Sequence, residues 1–169
     1  APPIYQYKAQ RKPTPDELRP QFPLIKKVLA ALRIPFLEVE GYEGDDVIAE
    51  VVRAAEKKGL EVLIVSGDRD LLQLVTEQTT ALLTRKGISD LECFTPERVQ
   101  EKYGIEPAQI ADYKGLKGDQ SDNIPGVPGI GAKTAAKLLK QFPSLEECLS
   151  NLDKLPAKTA AQLSKYEDQ

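Results

Sequence analysis

Apolar residues recur at helical spacing through Leu18, Phe22, Ile25, Val28, Leu29 and Leu32, which predicts a helix with one buried face. The preceding "TPDEL" predicts its start at Thr14, with a threonine cap, a proline at the first helical position and acid in the first turn; the pattern ends near Arg33. "IPFLEVEG" (34–41) then reads as a strand, and "YEGDDVIAEVVRAAEKKG" (42–59) as a helix with Val47, Ile48, Val51, Val52 and Ala55 on one stripe. The nearly continuous run "LEVLIVSG" (60–67) predicts a strand buried on both faces of a parallel sheet. "RDLLQLV" reads as a short helix, and "TTALLTR" and "SDLECF", separated by a turn at Lys86-Gly87, as two further strands. This alternation predicts an α/β sheet with right-handed crossovers.

After Phe94 the pattern changes. "TPERVQEKYG", "EPAQIADYKGLKG", "GAKTAAKLLKQF", "SLEECLSNL" and "PAKTAAQLSKY" are short helical segments separated by glycine and proline. The expected organisation is an α/β core over 1–94 and a helical region over 95–169. Residues 1–13 have no periodicity and read as a loop or frayed terminus.

Composition adds constraints. The chain has 169 residues, 41% hydrophobic and 29% charged, as expected of a soluble globular protein with no membrane span and no secretory leader. An intracellular, cytoplasmic protein is the expectation. Cys93 and Cys148 lie far apart without metal-type spacing and read as reduced thiols. Histidine is absent, which removes imidazole from any metal site or acid-base chemistry. Methionine is absent too, even at position 1, so a processed or excised fragment, or one whose ends were omitted, is expected. The net charge of −3 conceals separation: acid concentrates in "YEGDD", "GDRD" and "KGDQSD", base in "YQYKAQRK" and "GAKTAAKLLK". Such a chain can still bind a polyanion through its basic patches.

The acidic clusters fall at informative places. Glu43, Asp45 and Asp46 follow one predicted strand, Asp68 and Asp70 the next, at the carboxyl edge where open α/β sheets bind ligands. Asp119 and Asp122 stand three apart and would share a face on one helical turn. Any single cluster can be a helix cap. Their repetition argues for a resident cation, because two like charges about 4 Å apart repel by about 4 kcal/mol at an effective dielectric of 20. Oxygen-only ligands select magnesium or manganese. Two such ions can lower the pKa of an attacking water and stabilise a leaving oxygen, so two-metal hydrolysis of a phosphate ester is the leading chemistry.

"NIPGVPGIGAKTAAKLL" (123–139) is the second informative stretch. Gly126, Gly129 and Gly131 with interleaved Val127 and Ile130, followed by a helix from about Lys133, have the spacing of a helix-hairpin-helix, which grips a nucleic-acid backbone without reading sequence. Lys133 and Thr134 would add a charge and a hydroxyl at the helix start. The spacing is not that of a Walker loop.

With these motifs in hand, the chain resembles the 5′ nuclease (5′ to 3′ exonuclease) domain of bacterial DNA polymerase I, in the flap endonuclease family. The resemblance runs from "YKAQRKPTPDEL" through "VEGYEGDDVIA", "VSGDRDLLQL" and "LKGDQSDNIPGVPGIGAKTAAKLL" to "NLDKL". It implies a PIN-like (resolvase-like) α/β core followed by a helix-hairpin-helix (helix-3-turn-helix) region, two Mg2+ or Mn2+ ions, and 5′ flap and 5′ end cleavage in primer removal and repair. By position it implies Glu43, Asp45, Asp46, Asp68, Asp70, Asp119 and Asp122 as metal ligands and Lys8 and Arg11 as the catalytic basic pair at the scissile phosphate. Arg69, Lys114 and the hairpin residues Gly126, Gly129, Gly131, Lys133 and Thr134 are implied as DNA contacts, with K+ at the hairpin. Flapped, nicked or branched DNA is the implied partner of a monomer in the bacterial nucleoid, with a polymerase domain in the same chain.

The family begins with two strands, each ending in an aspartate, that this chain lacks. The 169 residues alone are therefore expected to bind metal weakly and cleave poorly. Two alternatives stand beside the nuclease: a non-catalytic module for branched or nicked DNA, and a haloacid-dehalogenase-like phosphatase, which "LIVSGDRD" superficially resembles but whose pattern Leu71-Leu72 does not fit.

Overall fold

The structure, a computed structural model, describes residues 8–87 and 89–165. Residues 1–7 of the expected N-terminal loop and Tyr166 of the expected last helix lie outside the described residues.

Helix α1 spans Gln21–Ala31, seven residues later than "TPDEL" suggests. Pro20 is the reason: it lacks an amide hydrogen and its ring crowds the carbonyl four residues back, so a helix begun at Thr14 cannot run through it. Residues 16–20 form turns instead, with Leu18 N–H donating to Pro15 O and Gln21 N–H to Leu18 O, both at 3.0 Å. No residue of α1 is buried. The expected strand at 34–41 is also not formed. Ile34, Phe36, Leu37 and Val39 are exposed, and without a hydrogen-bonded neighbour the extended backbone has no ladder to join.

Helix α2, Gly44–Glu56, turns Val52 inward against the sheet. Its end is tied to the strand beyond by Glu56, which accepts hydrogen bonds from the Thr76 hydroxyl at 2.5 Å and the Thr79 hydroxyl at 2.6 Å. Three strands follow: β1 (Val62–Ser66), β2 (Thr79–Lys86) and β3 (Asp90–Phe94). They lie in the order β1-β2-β3, with β1 parallel and β3 antiparallel to β2. The sheet is mixed because the Lys86-Gly87 turn makes β2 and β3 a hairpin. Between β1 and β2 a 3-10 helix, Arg69–Leu74, buries Leu71 and Leu72.

β1 departs from the doubly buried strand that its composition suggests. Ile64 is buried, but Leu63 and Val65 are 59% and 62% exposed. It is an edge strand covered on one face only, by α2 and the 3-10 helix, and its apolar alternation therefore splits between core and surface.

The remainder is helical: α3 (Pro96–Tyr103), a 3-10 turn at Pro107–Gln109 leading into α4 (Ile110–Lys117), α5 (Ala132–Gln141), α6 (Leu145–Leu149), a 3-10 turn at Leu152–Lys154 and α7 (Ala157–Lys165). Thr95 caps α3, Pro96 opens it, and Gly104 ends it with φ +74°. Glu92 of β3 accepts from Arg98 at 2.8 Å and Lys102 at 2.6 Å, joining sheet to helix. Phe94 stacks on Tyr103 with centroids 6.5 Å apart, Tyr103 meets Tyr113 edge to face at 6.2 Å, and one core continues from the sheet into the helices through Leu72, Phe94, Val99 and Leu116. Cys93 is exposed and Cys148 buried, both as free thiols. No helix among the described residues is long and apolar enough to cross a membrane.

Candidate metal centre and nucleic-acid interface

Where β1 ends, Ser66 turns the chain: its hydroxyl accepts from the Asp68 amide at 3.0 Å, and Asp68 accepts from the Asp70 amide at 2.9 Å as cap of the 3-10 helix. Asp70 follows in the first turn of that helix. It projects into a cavity of about 430 Å3 whose walls carry Arg11, Asp68, Arg69, Tyr103, Tyr113, Lys114, Lys117, Asp119, Ser121 and Asp122.

The opposite wall comes from the chain after α4. Gly118, with φ +82°, stops the helix, so Asp119 and Asp122 are not on the helical turn their spacing suggests. They sit in a closed loop instead: Asp119 and Ile124 exchange backbone hydrogen bonds at 2.9 and 2.8 Å, and Asn123 adopts φ +60°. The loop achieves the same convergence. Asp70, Asp119 and Asp122 each offer a carboxylate oxygen within 4.8 Å of the others, an oxygen-only set suited to a hard divalent cation.

Cations answer these charges. Lys114 of α4 contacts both Asp70 and Asp119. Arg11 donates to the buried Asp122 at 2.6 Å, and Lys8 pairs with Glu43. Burial alone would raise the Asp119 carboxyl, but hydrogen bonds from Lys114 and Ser121 override it and hold the group well below the usual carboxylate range.

The first acidic cluster is placed differently. Asp46 accepts from the Glu43 amide, and Asp45 from the Asp46 amide, each at 3.0 Å. These carboxylates serve the N-terminus of α2, and among the described residues they are outside the three-carboxylate group. The expected basic pair is found against acid: Lys8 and Arg11 reach Glu43 and Asp122. Lys114, expected to contact DNA, also faces carboxylates, while Arg69 is exposed on the cavity wall. Sequence reasoning did not select Tyr103, Tyr113 and Lys117, which line the cavity. In "DYKGLK" Lys117 stands three residues after Lys114 and four after Tyr113, the spacing of one helix face, and that was the available signal.

The hairpin is joined to this site. The Val127 amide donates to Leu116 O at 2.8 Å, and Gly126, at φ +64°, packs on the backbone of Lys117 and Gly118 where a Cβ would overlap it. Gly129, at φ +87°, faces Gln162 of α7, whereas Gly131 at the start of α5 has open space. Lys133 is exposed and Thr134 half-buried beside it.

Comparison with known proteins accords with this architecture. The family model described as "5'-3' exonuclease, N-terminal resolvase-like domain" matches residues 3–104, and "5'-3' exonuclease, C-terminal SAM fold" matches 105–169. DNA polymerase I of Bacillus subtilis is 53% identical over 165 residues, covering 97% of this chain and 19% of that protein. The chain thus spans about a fifth of the length of this relative. Bacteriophage T5 5′-exonuclease with bound zinc superposes with a TM-score of 0.78 at 24% identity, covering 98% of this chain and 64% of that one. A T5 flap endonuclease pseudo-enzyme-product complex with DNA and metal ions gives 0.76 at 24%, with the same coverage. These likenesses establish the resolvase-like and helical fold and lend no support to a phosphatase. On the family models, which together span residues 3–169, the chain belongs to the 5′-3′ exonuclease family.

Proposed function

We propose that this chain is a 5′ nuclease module that hydrolyses DNA phosphodiesters at 5′ ends and 5′ flaps with two Mg2+ or Mn2+ ions. The observation that carries the reading is the convergence of Asp70 with Asp119 and Asp122, from segments about 50 residues apart, in one cavity that also holds Arg11 and Lys114. Asp70, Asp119 and Asp122 would hold one ion, with Asp68 at its margin; Glu43, Asp45 and Asp46, which serve the N-terminus of α2 here, would supply further acidic ligands. Bound metal would supply an acidified water and stabilise charge on the leaving oxygen. The chain's own groups do the rest. Arg11 and Lys8 bind the scissile phosphate, Arg69 and Lys114 contact the strand, and the 126–134 hairpin holds the duplex backbone through the amides at the start of α5, with Lys133, Thr134 and a K+ ion.

The working protein is a monomer in the bacterial cytoplasm, associated with the nucleoid and carrying a polymerase domain in the same chain. The test is cleavage of a labelled 5′-flap duplex in magnesium. The chain is assayed alone and grafted in place of the matching segment of Bacillus subtilis DNA polymerase I. The graft is expected to cut, and Asp70→Ala to lower its rate by more than the about 100-fold typical of losing an outer-shell partner. A graft that binds the flap and never cuts in Mg2+ or Mn2+ would make the chain a DNA-structure binding module.

A further inference from the structure

Three carboxylates within 4.8 Å of one another are stable only if positive charge stands among them. Two cations do so here, and they differ. Arg11 meets Asp122 from the surface, with 55% of its side chain exposed. Lys114 is 18% exposed, rises from the middle of α4, and places its ammonium against Asp70 and Asp119 together. An ammonium set between two carboxylates from different segments competes for their charge with any cation that those carboxylates would hold.

We propose that Lys114 is the resident counter-ion of the carboxylate cluster and that a divalent cation binds by displacing it. The proposal rests on the metal-centre reading above and adds an exchange to it. The ammonium offsets part of the negative charge of the three carboxylates and holds the two walls of the site together, at a cost to metal affinity. A strongly hydrated point charge on a flexible four-carbon stem can leave in a way that a forked guanidinium cannot.

The experiment measures Mn2+ uptake by calorimetry and by the electron-spin signal of free Mn2+, for the 169-residue chain and its variants. Lys114→Gln is expected to bind Mn2+ about tenfold more tightly, because the competing charge is gone. It should also melt earlier than the parent in chelator and gain more from added Mn2+. Lys140→Gln makes the same charge change on α5, away from the cavity, and should shift affinity less than about twofold. A second measurement needs no variant: acetylation of Lys114 in the parent chain, read by mass spectrometry, should rise when Mn2+ is added while that of Lys140 stays constant. Equal or weaker Mn2+ binding by folded Lys114→Gln, or an acetylation rate at Lys114 that Mn2+ leaves unchanged or lowers, overturns the exchange. If the parent binds Mn2+ and Asp70→Asn does not, the metal centre stands whichever way the lysine result falls. If folded parent and Lys114→Gln both fail to bind Mn2+ even at the highest concentrations at which they stay soluble, where the weak binding expected of the 169 residues alone would register, the metal centre itself fails and the exchange with it.

Discussion

Residues 21–41 and 60–94 carry similar apolar periodicity, yet only the second becomes core. In 60–94 Ile64, Leu71, Leu72, Ala81, Leu83 and Phe94 are buried, and each strand hydrogen-bonds a neighbour. In 21–41 the helix forms and the strand does not, and Leu24, Ile25, Val28, Phe36 and Leu37 remain exposed. A helix satisfies its hydrogen bonds within itself, whereas a strand depends on chain from elsewhere. Apolar spacing therefore states what a segment can bury, and topology decides whether it does.

The largest test of this contrast pairs two phenylalanines. Phe94 is 1% exposed, in contact with Tyr103 and under the Lys102 ammonium. Phe94→Ala should cost about 3–5 kcal/mol in urea unfolding. Phe36 is 48% exposed, and Phe36→Ala should cost less than about 1 kcal/mol. Equal costs would mean that 21–41 packs on something in solution, and the contrast would fail.

Next comes Gly126, which tests whether the hairpin is bound to the acidic loop or merely follows it. Alanine there meets both a positive φ of +64° and the Lys117–Gly118 backbone, so Gly126→Ala should destabilise by about 1–3 kcal/mol. Gly131 has open space and an extended backbone; Gly131→Ala should be mild, at about 1 kcal/mol or less. Of two glycines read from sequence as one motif, the first is needed by the fold and the second faces open space.

That pair shows how far the sequence was legible. The helices after Phe94 were readable because caps and stops are local: Thr95-Pro96 and Gly104 bracket α3 as chemistry requires. β1 and the β2–β3 hairpin were readable as strands, but not the exposure of Leu63 and Val65, since burial on a second face depends on a layer that no local pattern encodes. The acidic residues could be found as clusters. Their sorting into a converging trio and a helix-capping set at α2 could not, because it depends on Gly118 ending α4 and on a loop closing from Asp119 to Ile124. Lys114 read as a DNA contact for the same reason: its carboxylate partner Asp70 is 44 positions away.

The ion pairs offer a smaller contrast. Glu92 is 11% exposed and accepts from Lys102 and Arg98, with Arg85 at 3.6 Å. The Lys102 hydrogen bond leads in holding its carboxyl below the usual value of 4.5. A group with a lowered folded pKa stabilises above its unfolded pKa and loses that contribution as pH falls through the folded value. The parent should therefore exceed Glu92→Gln by about 1 kcal/mol at pH 7, after allowance for its half-exposed partners, and the difference should shrink below about pH 4.5. Lys26–Glu38 is exposed on both sides, and Glu38→Gln should change stability by less than about 0.5 kcal/mol at any pH.

The smallest expected effect is the most diagnostic of the unburied region. Val28 is 56% exposed on a helix that buries nothing, so Val28→Ser removes little transfer free energy and alters helix propensity only slightly. Unfolding free energy should stay within about 0.5 kcal/mol of the parent. The same substitution at Val52, 3% exposed on the more strongly amphipathic α2, removes buried methyls and leaves a hydroxyl among apolar neighbours, for a loss of about 2 kcal/mol or more. Two valines, each on the apolar stripe of its helix, thus separate what spacing predicts from what packing delivers. A Val28→Ser loss matching that of Val52→Ser would show that α1 buries its stripe in solution.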